Sequence, residues 1–285
     1  MYEMGCRSRN ANERGAMILD FGSPRKKRLA TAGGLLQYGT GLLNGTDESR
    51  NFRTTLDIEG AVANFIRGYM SSQTKIGMVC QPSSDRRSLK PFDLLTIIVT
   101  TTNSAFTDGA GTVRQNPALT RDHGEKWSDM IDYIYDTNVS NGYSQYISIS
   151  AGFDAEVGDE WGAELNTLDW IDGYVDRQLS KLTPKIYYNI GSCDGCSRKA
   201  DITTGSTLLE RTYQYSRRKG VEISFPQIYH AEYAFEWYDV RRYGASMKND
   251  NFTYPLQNHW MKRPFYAKHT RSVKSFQEQS LPVVD

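Results

Sequence analysis

No apolar run in this 285-residue chain approaches the ~18 residues of a membrane-spanning helix, so no membrane partner is expected. Charge of one sign is not in excess either. The 34 Lys and Arg against 33 Asp and Glu leave a net charge of +1, which offers no electrostatic footprint for nucleic acid. The short cluster Arg25-Lys26-Lys27-Arg28 reads as a solvated loop. No Gly-x-Gly-x-x-Gly or phosphate-loop signature follows any strand-like run, which leaves a nucleotide-binding fold without support. Nor is there a Gly-x-Ser-x-Gly elbow for a serine nucleophile.

Cysteine and histidine are scarce, at four each. Cys193-Asp194-Gly195-Cys196 has half-zinc-site spacing, but neither Cys6, Cys80 nor the scattered His123, His230, His259 and His269 completes a tetrahedral site. A local disulfide or two free thiols is the simpler expectation there, and no cofactor or metal is expected. Residues 1–15 are polar and lack an apolar signal core, so they read as a disordered or arm-like N-terminus ahead of one domain over 16–285. Either the protein acts where it is made or a leader has been removed, and the compartment stays open on this evidence.

What the chain does contain is an alternation of strand-like and helix-like segments. Residues 16–22 and 94–102 read as buried strands, as do 145–153, 185–191 and 221–229. Helices are expected over 58–69, from 123 to about 135, from 167, over 206–219 and over 231–243. Residues 23–57, rich in Gly and polar side chains, read as a long loop. Strands apolar on both faces and separated by helices predict a parallel α/β sheet, and a (β/α)8-type TIM barrel, irregular or incomplete, is the expected architecture.

The chemistry gathers where those strands end. Asp20, Asn103, Asp154 with Glu156, Asp194, and Gln227 with Tyr229 all fall at carboxyl ends, where barrel active sites form. Asp154 and Glu156 stand two residues apart, about 7 Å along an extended chain and on one side of it. Two such carboxylates repel and titrate at different pH values, which is how an acid and a base or stabiliser are separated in many glycoside hydrolases. The bland alternative is that one caps a helix while the other pairs with an Arg or Lys. Trp161 and Tyr188 join Asn103, Gln227 and Tyr229 as candidate substrate contacts, while Trp127, Trp170 and Trp237 fit amphipathic helices and read as core.

Taken together, Thr101-Thr102-Asn103-Ser104, His123-Gly124-x-x-Trp127, Ala151-Gly152-x-Asp154-x-Glu156, Trp170-x-Asp172-Gly173-Tyr174, Tyr188-Asn189-x-Gly191-Ser192-x-Asp194-Gly195-Cys196 and Pro226-Gln227-Ile228-Tyr229 form an ordered series. It resembles a group of bacterial proteins, many of them secreted, thought to adopt a glycoside-hydrolase-like TIM barrel. More distantly it is similar to Chalaropsis-type lysozymes. That resemblance implies an extracellular hydrolase of O-glycosidic bonds in a polysaccharide or cell-wall glycan. It implies Glu156 as the acid, with Asp154, Asp20 and Asp194 as neighbouring carboxylates. Two other readings are kept: a non-catalytic carbohydrate-binding or structural barrel, and a metal-dependent hydrolase using Asp20, Asp154, Glu156, Asp194 and His123 or His230.

Overall fold

The computed structural model describes residues 1–10, 15–30, 34–41, 52–73, 80–81, 95–104, 106–107, 113–114, 116–156, 164–191, 207–216, 222–224, 239–240 and 243. Its elements begin with α1 (Tyr2–Asn10), β1 (Gly15–Asp20), β2 (Ser23–Arg28), β3 (Leu36–Gly41), β4 (Arg53–Thr54) and α2 (Thr55–Tyr69). Then come β5 (Ser72–Gln73), β6 (Cys80–Gln81), β7 (Leu95–Thr102), β8 (Phe106–Thr107), β9 (Val113–Arg114) and α3 (Arg121–Ser140). The last are β10 (Ile147–Asp154), α4 (Glu164–Leu179), β11 (Tyr187–Asn189), α5 (Thr207–Ser216) and β12 (Glu222–Ser224).

Strands β1, β7, β10, β11 and β12 form one parallel sheet in that order. Parallel neighbours need long crossovers, and α2, α3, α4 and α5 supply them. Alternation along each strand sorts its side chains between two faces. Leu19, Leu95, Ile97, Val99, Ile147, Ile149, Ala151, Phe153 and Tyr187 join one apolar core with side chains from all four of those helices. The other face carries Asp20, Thr100, Gly152 and Tyr188 in one lateral row, with Thr102 beside Asp154 in the next.

A doubly wound sheet reverses its strand order at a switch point. This one keeps chain order, with the described helices α2, α3, α4 and α5 packed into a core on one face. It is singly wound. The described strands form an open sheet and not a closed barrel, so the expected TIM barrel reduces here to a mixed α/β fold with a parallel sheet.

Helix α2 starts at Thr55, ahead of the expected 58, for a chemical reason. Thr54 accepts a hydrogen bond from the Asp57 amide while Asp57 reaches back to the Thr54 amide, a capping box that satisfies two open donors. Its buried side is Ile58, Val62, Phe65, Ile66 and Tyr69, five positions at helical spacing.

Two sequence expectations are corrected. The N-terminus is not a disordered arm, because residues 2–10 form α1 packed backbone to backbone on α2. A Cβ on Gly5 would lie 2.0 Å from the Phe65 carbonyl oxygen, and one on Gly68 would lie 2.0 Å from that of Tyr2. Nor is the start of 23–57 a loop. β2, β3 and β4 form an antiparallel sheet of three strands, entered through Gly22 at φ 82° and anchored where Asn116 Nδ2 donates to the Pro24 carbonyl at 2.9 Å.

Helices α3 and α4 cross by the same device as α1 and α2. A Cβ on Gly124 would sit 2.0 Å from the Trp170 carbonyl oxygen, and one on Gly173 would sit 2.1 Å from that of Arg121. The two backbones therefore touch, and this close crossing brings Trp127 and Trp170 together beneath β10, where both are fully buried as expected. The ring of Trp170 stacks on Phe153 at 4.2 Å between centroids.

Candidate active site at the carboxyl end of the sheet

The site is built on the end of β10. Asp154 closes the strand on the face opposite the helices, and Ala155 turns into the core at 1% exposure. Glu156 follows, half-buried like Asp154. Alternation about a buried Ala155 carries the two acidic residues to the same side of the chain.

Two buried asparagines fix this segment. Asn103, just past β7, donates from Nδ2 to the Glu156 carbonyl at 2.7 Å and accepts from the Glu156 amide at 3.0 Å through Oδ1. Its amide also reaches Thr167 Oγ1 at 3.3 Å, and its backbone N–H donates to the Asp154 carbonyl at 3.2 Å. Asn189, ending β11, accepts from the Ala155 amide at 3.4 Å and the Gly191 amide at 3.0 Å, and donates to Ser216 Oγ at 2.8 Å. Both side chains are fully buried. A Cβ on Gly191 would lie 2.2 Å from the Ala155 carbonyl oxygen, so the chain leaving β11 lies directly against the Asp154–Glu156 segment.

Asn103, expected among the substrate contacts, has its side-chain amide engaged by the peptide of Glu156. Asn189 stands in the motif series of the sequence but not among its candidate site residues, although a polar residue ending a strand between Tyr188 and Ile190 is the signal that could have placed it there.

Asp20 ends β1 on the same face as Asp154 and is exposed, its Oδ1 accepting from the Gly22 amide at 2.9 Å. In the strand register it lies in the row of Gly152, two strands over from β10 and two residues back from Asp154. That offset corresponds to about 12 Å between Cα atoms. Tyr188 pairs in register with Gly152 on this face, half-buried, and burial raises its phenol pKa above the ordinary value. Asp154, Glu156, Asp20 and Tyr188 thus come to one end and one face of the sheet. Asp194, Trp161, Gln227 and Tyr229 lie outside the described residues, as do Cys193, Cys196, His230 and Trp237.

His123 belongs to the fold and not to the chemistry. Thr120 caps α3 by accepting from the His123 amide at 3.3 Å, and the ring is then buried between two partners. Its Nε2 donates to the Gly39 carbonyl at 2.7 Å, and its Nδ1 accepts from Trp170 Nε1 at 2.9 Å. With both nitrogens occupied it cannot serve as a metal ligand, which removes it from the set proposed for a metal-dependent hydrolase. Burial lowers its pKa to about 4. Among the described residues no group of three or more His, Cys, Asp or Glu side chains is placed to hold a metal ion.

A groove of about 340 Å³ opens between α2 and α3, lined by Glu59, Arg67, Tyr133, Asn138 and Tyr143 among others. It touches none of the candidate carboxylates. It lies along the last two turns of α3, which lead into the start of β10, and so faces the amino ends of the strands. A volume of that size suits a small ligand, but the convergent acids are elsewhere.

Comparison with protein-family models, with curated proteins and with solved structures gives no match for this chain.

Proposed function

We propose that this chain is a hydrolase of O-glycosidic bonds, with Glu156 as proton donor and Asp154 as the partner carboxylate. The observation that carries the reading is the pair itself: two half-buried acids, two residues apart, on backbone clamped by Asn103 and Asn189 at the carboxyl end of the sheet. Glu156 passes its proton to the leaving oxygen as the anomeric C–O bond breaks. Asp154 faces the cationic sugar carbon and either takes a proton from the attacking water or bonds to that carbon until water releases it. Asp20 and Tyr188, on the same face, flank the sugar. The singly wound sheet, with its helices on one face, supports a barrel completed by further strands.

The disulfide at Cys6 supports an oxidising, extracellular setting. No helix among the described residues is long and apolar enough to cross a membrane. The chemistry proposed uses carboxylates alone and calls on no cofactor.

The test is a screen of polysaccharides for released reducing ends, followed by Glu156→Gln on the best substrate. General acid catalysis contributes roughly 10²–10⁴-fold, and the variant is expected to lose that much in kcat. Full turnover in Glu156→Gln sinks the assignment. Retention of the glycan with no reducing ends from either protein makes the chain a binding module.

A further inference from the structure

The antiparallel sheet begins three residues beyond Asp20, and its first strand is Ser23-Pro24-Arg25-Lys26-Lys27-Arg28. Its register sets Lys26 against Tyr38 and Arg28 against Leu36, with Arg53 beside Thr40 one strand further on. Alternation therefore puts Lys26, Arg28 and Arg53 on one face together with Tyr38, and Lys27 on the other. All four cations are exposed.

Among the described residues their charges stand unpaired: Arg28 donates to the Gly34 carbonyl at 3.3 Å and Arg53 to the Phe52 carbonyl at 3.5 Å. Among the described residues none of the four has a carboxylate within ion-pair reach. The cations of α3, of α4 and just beyond α4 are treated differently. Arg121 meets Asp176 at 2.6 Å, Arg177 meets Asp129 at 2.7 Å, and Lys181 is paired with Asp132. Four cations with no ion-pair partner among the described residues thus stand on one small sheet of a chain of net charge +1. That sheet is fixed at the sheet end that carries the acids: the Gly22 carbonyl accepts from the Thr102 amide at 3.2 Å and from the Thr101 hydroxyl.

We infer that the glycan bound here is polyanionic, a polysaccharide bearing carboxylates along its length, held by Lys26, Arg28 and Arg53 beside the acidic site. The inference rests on the glycosidase reading for the word glycan and on the cations of this sheet for the word polyanionic. Cations about 7 Å apart along one strand face can meet carboxylates on more than one sugar of such a polymer. Duplex DNA, with a charge every ~1.7 Å, is far denser than the few cations on this sheet face match. Binding through exposed charges of this kind is controlled by salt.

The experiment is affinity electrophoresis of the full chain through gels containing polygalacturonate, neutral dextran, or no polymer, at 50 and 200 mM NaCl. Wild type is expected to be retarded by polygalacturonate and not by dextran, with the retardation largely lost at the higher salt. Lys26→Glu/Arg28→Glu is expected to weaken retention about tenfold or more while far-UV circular dichroism and Tm stay at wild-type values, since both side chains are exposed. Equal retention of the double variant overturns the inference, as does equal retention on dextran. Tighter binding to a duplex DNA probe than to polygalacturonate also overturns it and reassigns the surface to nucleic acid. The glycosidase reading stands or falls separately, on turnover by Glu156→Gln.

Discussion

Asn103 holds the peptide of Glu156 on both sides, donating to its carbonyl at 2.7 Å and accepting from its amide at 3.0 Å. Removing the clamp as Asn103→Ala strands a partly buried donor and acceptor together, a loss of about 2–3 kcal/mol by the cost of unsatisfied groups. Urea unfolding at pH 7 measures it. On a glycan that the wild type cleaves, kcat falls in this variant while KM holds, because Asn103 meets backbone and not sugar. A raised KM at unchanged kcat would return Asn103 to the substrate contacts.

His123 makes stability depend on pH in a defined window. Its folded pKa is about 4 against an ordinary 6.5, lowered first by burial and to a smaller extent by the charge of Lys26. Below pH 6.5 the unfolded chain takes up a proton that the folded chain refuses, so the stabilisation, complete above 6.5, is lost as the pH falls toward 4. The full loss is about 3 kcal/mol. Asp122 and Glu125 stand on the same helix, so the comparison is with His123→Gln, which is expected to be less stable at pH 7 but flatter over this window. Parallel curves for the two proteins would show that His123 is not the source.

The α3–α4 crossing predicts a contrast among three glycines. Gly124→Ala and Gly173→Ala each drive a methyl into a carbonyl oxygen of the facing helix, at 2.0 and 2.1 Å, and each is expected to cost about 2–3 kcal/mol as the helices move apart. Gly60 in α2 has open space where its Cβ would be, so Gly60→Ala is expected to be neutral or to stabilise by up to about 1 kcal/mol. Guanidinium unfolding of the three variants gives the comparison. Similar midpoints for all three would contradict the close crossing.

Cys6 is buried and disulfide-bonded in the helix that packs on α2. Cys6→Ala, or reduction of the folded protein, is expected to lower stability by about 2–4 kcal/mol, read as a fall in Tm under dithiothreitol. No shift on reduction would mean that α1 is held by its helix contacts alone.

The parts of this fold legible in the sequence are those written in local periodicity. The Leu-Thr-Ile-Ile-Val run of β7 and the Ile-Ser-Ile-Ser-Ala run of β10 are buried on both faces and announce a parallel sheet. Ile58, Val62, Phe65, Ile66 and Tyr69 write α2 just as plainly. What misled was structure held by partners far along the chain. β2 is polar almost throughout and is a strand because β3 pairs with it, a bond pattern that no window of sequence contains. α1 is likewise polar, and its burial depends on glycines that let two backbones meet. At the site, the positions of Asp154 and Glu156 followed from alternation. The role of Asn103 did not, because a strand-end asparagine looks the same whether it faces a sugar or a neighbouring peptide.

At residues 155 and 156 the Asn103 and Asn189 clamps grip peptide groups, which every residue type but proline shares. The path of the chain through 155 and 156 is therefore set without reference to which side chain stands at 156. Exchanging Glu156 for a shorter acid, an amide or an imidazole changes what the loop presents and leaves these bonds in place. The end of β10 works as a mount with interchangeable heads, so new reactivity can be selected there at little cost to folding, whereas the two asparagines that hold the mount have no such freedom.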